Sequence, residues 1–252
     1  MKKTVLTTLA VALLPASLFA VDGQVLVNQA SVTAAGGFPY VITQPGSYKL
    51  SGNLTPASNV DAIHINSNGV TLDLNGFTIG SASCVPDTCG ASTAYGVTTG
   101  NTHAYYNITV RNGTISGMGA GVYIDGDSAT VEDLHIRNMT NNGVTITLVG
   151  GGATASVIVR HNTIDGTRTG LVVSGSALAT DNAFSYNLLG ASIGDEFSST
   201  VTSALVAGNT FFANSLSLAL YHGGYLNNVF SGGAVVYGKN LGGNLCNNVV
   251  CP

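Results

Sequence analysis

VIVRHNTIDGTRTG, residues 157–170, is a charged stretch in a chain in which Asp, Glu, Lys and Arg make up only 8% of residues. Arg160, His161, Asp165 and Arg168 all fall inside it. Such a density means either a reactive cluster or one turn of a repeat. The choice decides the fold, and it turns on whether the pattern recurs.

The pattern recurs along most of the chain. VIVRHNTI (157–164) aligns with LVAGNTF (205–211), GYLNNVF (224–230) and GNLCNNVV (243–250). Earlier versions are TLDLNGFTI (71–79), ITVRNGTI (108–115) and ATVEDLHI (129–136), and LATDNAF (178–184) fits more loosely. Two positions before the closing apolar residue, the later versions carry Asn162, Asn182, Asn209, Asn228 and Asn248. Between these segments lies a second motif, a glycine followed by an apolar–any–apolar triplet. It starts at Gly96, Gly121, Gly143, Gly170 and Gly190, more weakly at Ser217, and again at Gly233. Each unit therefore holds three short strands. A unit so small cannot bury its own core, whereas stacked units bury a continuous one. Inward residues of period two fill the coil.

Composition agrees. The chain has 33 glycines in 252 residues and no tryptophan, which suits β-structure with many turns. Residues 1–20 have the order of a secretory signal: basic Lys2 and Lys3, an apolar stretch, then Ala20. No later stretch is apolar for long enough to suggest a membrane span. Without the two lysines, six basic residues face twelve acidic ones, so nucleic acid is not an expected partner. Cys84 with Cys89 and Cys246 with Cys251 are both spaced C-x4-C. Export permits disulfides. Zinc is the competing reading, but this spacing matches no usual zinc pattern and no histidine lies near.

The repeat resembles the right-handed parallel β-helix of pectin lyase-like proteins, and the asparagine column resembles that family's internal asparagine ladder. The opening FPYVITQPGSYKLSGNLT (38–55) and AIHINSNGVTLDLNGFTI (62–79) is similar to the start of exported bacterial β-helix proteins of unassigned activity. The expected architecture is all-β: a single-stranded right-handed parallel β-helix, or β-solenoid, of about eight coils with an N-terminal β cap. The expected divisions are 1–20 signal, 21–60 cap and 61–252 β-helix. The expected destination is the periplasm, cell surface or medium.

Stacking turns the opening charges into columns. One column reads Asn75, Arg111, Glu132, Arg160, and the next reads Gly76, Asn112, Asp133, His161, Asp181. Arg137 precedes Asp165 in a third. Opposite charges in adjacent coils avoid in-register repulsion, so Arg160, His161 and Asp165 are expected to set register. Arg168 has no partner in this scheme.

In the resembled family, polysaccharides bind or are cleaved on the outer face of the strand that carries the glycine motif. Here that column is Thr98, Tyr123, Thr145, Val172, Ser192, Ala219 and Val235, none of them charged. A calcium-assisted lyase needs clustered carboxylates and a base, and an inverting hydrolase needs two spaced carboxyls. The segments after the strand are richer. Tyr123, Asp125, Asp127 and Tyr221 are candidates for substrate contact, although Asp-Gly-Asp is also an ordinary turn sequence. Asp195, Glu196 and His222 are the candidates for catalysis. No P-loop, dinucleotide fingerprint or metal-ligand cluster occurs, so no cofactor or metal is expected. The sequence thus points to an exported β-helix that binds polysaccharide or cell-surface glycan without established catalysis. A lyase or hydrolase of the pectin lyase-like type and a passive adhesive surface protein are the alternatives.

Overall fold

A computed structural model describes residues 23–82, 84, 85, 88, 89, 92–100, 103–148, 156–194 and 203–252. The signal segment 1–20 and the candidates Asp195 and Glu196 lie outside the described residues. Among the described residues, the strands form a parallel β-solenoid. One strand per coil joins a nine-stranded sheet, from Tyr40–Ile42 to Ala234–Val236. The others join a 17-stranded sheet, which in most later coils takes two short strands meeting at a corner. Val157–Arg160 and Thr163–Asp165, from the opening stretch, are such a pair.

The interior is filled by large apolar residues aligned in register columns. Ile115, Ile136, Ile164, Phe184, Phe211 and Phe230 occupy one register column, and each is at most 2% exposed. The three phenylalanines stack with centroids 5.0 Å apart, which matches the roughly 4.8 Å strand spacing. Opposite this column stands the leading glycine of the second motif. A Cβ on Gly121 would lie 2.7 Å from Ile136 Cγ2 and 2.6 Å from the Gly143 carbonyl oxygen. Glycine is there because a bulky core residue and the next backbone leave no room.

The corner is where a parallel ladder breaks, and two devices repair it. The residue at the corner is left-handed: Asn112, Asp133, His161, Asp181 and Asn227 have φ between 53° and 59°. Asn, Asp and His tolerate that region better than other side chains. The polar column containing His161 is therefore selected by backbone conformation as well as by charge. The residue after it carries the ladder. Asn209 Oδ1 accepts from Asn182 N–H and Nδ2, while Asn209 Nδ2 donates to the Ala179 and Ala207 carbonyls and to Asn228 Oδ1. Only a side-chain amide has both the donors and the acceptor for this. Asn162, Asn182, Asn209 and Asn228 repeat the arrangement.

The last rung differs from the expectation. Asn228 bonds to Asn244, and Asn248 is exposed. Phe230 is in register with Cys246, so the final repeat ends at Cys246, and the chain then turns back as an antiparallel pair. Cys246 and Cys251 are joined by a disulfide across this turn, with Cα atoms 5.0 Å apart. A second ladder, absent from the sequence reading, lies three residues after the core column. Thr167 N–H and Oγ1 donate to Asn187 Oδ1, and Asn187 N–H donates to Asn214 Oδ1.

At the other end, the helix Gln29–Ala34 is opened by an Asn28–Ser31 capping box and contributes Val32 to the core. Gln24–Val27, Tyr40–Ile42 and Gly46–Leu50, within the segment assigned to the cap, already run in the parallel ladders. Cys84 and Cys89 face each other across a short antiparallel ladder in the 81–94 insertion.

The charged columns keep some of the expected partners, Glu132 with Arg160 and His161 between Asp133 and Asp181, and exchange others. Asp73, and not Asn75, is level with Arg111, because Leu74–Phe77 holds two residues more than the later corners. Arg111 accordingly pairs with Asp73 at 3.4 Å, leaving Glu132 to Arg160 at 2.7 Å. Asp165 pairs with His135 at 2.8 Å, although Arg137 is its register neighbour. His161 sits between Asp133 and Asp181, at 3.6 and 3.9 Å. The Glu132 side chain is only 12% exposed. Removing its partner leaves a half-desolvated carboxylate, so Arg160→Met is expected to cost about 1–2 kcal/mol in urea unfolding. Arg168→Met, with no ion pair among the described residues, is expected to change stability by less than about 0.5 kcal/mol.

Candidate functional site

The outer face of the nine-stranded sheet was expected to expose an uncharged column. Its burial is uneven: Thr98, Thr145 and Ala219 are 2%, 7% and 4% exposed, while Tyr123, Val172 and Ser192 are half-buried. A register shift after Leu216 puts Val236, and not Val235, level with Ala219. The column also extends one coil further, because Thr98 is level with His64. Ala62-Ile63-His64-Ile65 is the glycine motif with alanine in the first place. The column therefore does carry an ionisable group.

Tyr95 and Tyr123 stand at the centre of this face. Their rings are 5.4 Å apart and tilted by 54°. Tyr95 is level with Ala120, and Ala120 is preceded by Gly119. These small residues leave room between the Tyr95 ring and the next polar residue, Asn142. The result is a depression of about 450 Å³, bordered by Tyr95, Tyr123, Asn142, Thr145, Arg168 and Thr169. Asn142 Nδ2 donates to Thr145 Oγ1 at 3.0 Å. Arg168 is exposed and makes no ion pair among the described residues. Thr147 Oγ1 lies 3.4 Å from the Tyr123 hydroxyl and 3.2 Å from Asp125 Oδ1.

A second depression of about 240 Å³ lies on the other side of the two tyrosines, bordered by Asp61, His64, Tyr95, Thr98, Gly100 and Tyr123. Asp61 holds two elements together. Its Oδ2 is 2.7 Å from His64 Nε2, and its Oδ1 accepts the Tyr95 backbone N–H at 2.7 Å. Burial pushes the Tyr95 phenol pKa up, and the charges of Tyr123 and Asp61 push it the same way. The phenol is thereby kept as a neutral O–H donor.

Of the candidates for substrate contact, Tyr123 is the one that lines these depressions. Asp125 and Asp127 flank Gly126, whose Cβ would collide with the Tyr105 carbonyl oxygen, so this turn is packed against the backbone of the preceding coil. Asp127 Oδ1 is buried with no hydrogen-bond partner among the described residues. Tyr221 stacks on Tyr237 at 4.8 Å, several coils away, and His222 follows it in the left-handed region at φ 57°. Asp61, His64 and Tyr95 lie outside the glycine-motif column Thr98–Val235, and Arg168 has no partner in the charge columns.

The metal donors are scattered. Among the described residues, no three of His, Cys, Asp and Glu are placed to hold a metal ion. Three of the five histidines face carboxylates, Cys246 and Cys251 are bonded to each other, and Met118 and Met139 are buried at 0% and 4% exposure. No helix among the described residues is long and apolar enough to cross a membrane.

No curated protein sequence matches the chain. Among solved structures, the tailspike protein of E. coli bacteriophage HK620, determined as a mutant in complex with a pentasaccharide, is 15% identical over 86% of this chain, with a TM-score of 0.23. The chain spans 59% of that tailspike. Residues 29–248, nearly the whole solenoid, match the family described as NosD, periplasmic copper-binding protein. The chain belongs to this NosD family, and with it to the exported periplasmic β-helix proteins.

Proposed function

We propose that this periplasmic β-helix binds carbohydrate on the outer face of its nine-stranded sheet, around Tyr95 and Tyr123. The observation that carries this reading is the pair of tilted aromatic rings between two open depressions. The larger has the size of a small-molecule site and a few placed polar groups. Aromatic faces offer apolar area to the C–H face of a sugar ring, and Asn142, Thr145 and Arg168 offer hydrogen bonds beside it. Arg168 on one side and Asp61 with His64 on the other give the groove a polarity along the solenoid axis. In this reading residues 1–20 are the export signal.

The family's description implies copper, which is held by imidazole, thiolate and thioether groups. The donors among the described residues form no such set and do not fit a copper ion. The two-carboxylate chemistry of a glycosidase is not favoured either, because Asp61 is the one carboxylate bordering either depression among the described residues.

Titration of the purified protein with a panel of plant, algal and bacterial polysaccharides tests the proposal. At least one should bind, and Tyr123→Ala should weaken it at least about tenfold, or 1.4 kcal/mol. Silence across the panel, or unchanged affinity in the variant, would refute it.

A further inference from the structure

The smaller depression holds groups that simple binding does not require. Asp61 is a carboxylate, so it can only accept, and His64 Nε2 must carry the proton between them. That fixes the tautomer and leaves Nδ1 as the basic nitrogen, with no partner among the described residues. The other carboxylate oxygen is tied to the Tyr95 backbone, so the orienting group is itself anchored. Tyr95 borders the same space, and its hydroxyl makes no hydrogen bond among the described residues. A base held by a carboxylate, beside a free neutral O–H donor, is the arrangement used to activate an oxygen nucleophile and to receive the developing negative charge.

We infer that Asp61, His64 and Tyr95 form a hydrolytic site for O-acyl esters carried by a bound glycan. His64 Nδ1 takes a proton from water as the water oxygen bonds to the ester carbonyl carbon. The Tyr95 hydroxyl donates to the carbonyl oxygen while it carries the charge. The bond from the carbonyl carbon to the sugar oxygen then breaks, and the proton held by His64 passes to that oxygen. The products are a carboxylic acid and a free sugar hydroxyl, with no oxidant or metal needed. Asp61 is a positioning residue: it stabilises the imidazolium and holds the tautomer.

The glycan part of this inference rests on the carbohydrate reading, but the hydrolytic part does not. The test uses two substrates, p-nitrophenyl acetate and an O-acetylated xylan. The protein is expected to release acetate from both. His64→Ala should lower kcat at least about 100-fold. Tyr95→Phe should keep KM and lower kcat by about 100-fold or more. Asp61→Asn keeps an acceptor for the Tyr95 N–H, so it should remain folded by circular dichroism while losing activity. Hydrolysis of neither ester above the buffer rate, or a His64→Ala variant as fast as the parent, overturns the inference. Xylan bound but not deacetylated, with the aryl ester also intact, overturns the hydrolytic site alone. Aryl ester hydrolysis without any glycan binding keeps the hydrolytic site and removes the carbohydrate reading.

Discussion

Asn209→Ala is expected to lower the unfolding free energy by at least about 3 kcal/mol, the largest single effect in the solenoid. Asn209 is fully buried. Removing its amide strips the acceptor from Asn182 N–H and Nδ2 and the donor from the Ala179 carbonyl. Each buried polar group left unpaired costs about 1–3 kcal/mol. The rungs share partners, so the loss is expected to spread to Asn182 and Asn228 and not to stay local. Asn248→Ala is the control. Asn248 is exposed and outside the ladder, so it should change stability by less than about 0.5 kcal/mol. Urea unfolding of both variants checks the pair. A loss under 1 kcal/mol at Asn209, or equal losses at both positions, would show that the ladder is not what closes the corners.

Gly143→Ala is expected to cost about 3 kcal/mol for a different reason. The added Cβ would sit 2.6 Å from the Gly170 carbonyl oxygen and against Ile164 Cγ2. The carbonyl belongs to the next strand and cannot swing away, so the coils must separate locally. Gly52→Ala is the comparison, because its Cβ would meet only Asn28 Cβ at an ordinary 3.6 Å. Thermal or urea unfolding should separate the two by more than 2 kcal/mol. Ile164→Val combined with Gly143→Ala should recover none of the loss, since valine keeps the methyl that stands where Ile164 Cγ2 does and the carbonyl contact remains.

The fold was legible because a repeat shows each position many times. One asparagine suggests little, but Asn162, Asn182, Asn209 and Asn228 in step define a buried ladder. The glycines at 121, 143 and 170 are likewise a packing requirement set by Ile136, Ile164 and Phe184 on the facing side. Where coils differ in length, alignment by closing residue failed. The two extra residues in Leu74–Phe77 displaced Asn75 from the Arg111 column, and the reversal after Cys246 gave the last rung to Asn244. Ion-pair choice was legible only in part: the columns gave Glu132 with Arg160 and His161 between Asp133 and Asp181, but not Asp73 with Arg111 or His135 with Asp165. Asp165 has Arg137 beside it in register and still pairs with His135, because side-chain direction decides contact once register is set.

The site was legible only in part, through Tyr123. Asp61 and His64 come before the first glycine of the motif, and Tyr95 lies just outside the column that was read. Sequence alone determined the solenoid, its core columns, its corner asparagines and its expected export, because each follows from residue type at a repeating position. Tertiary structure alone decided which side chains meet. The Asp61–His64 contact, the tilt of Tyr95 against Tyr123 and the space over Gly119 and Ala120 each depend on how successive coils sit on one another. Spacing along the chain carries no record of that offset.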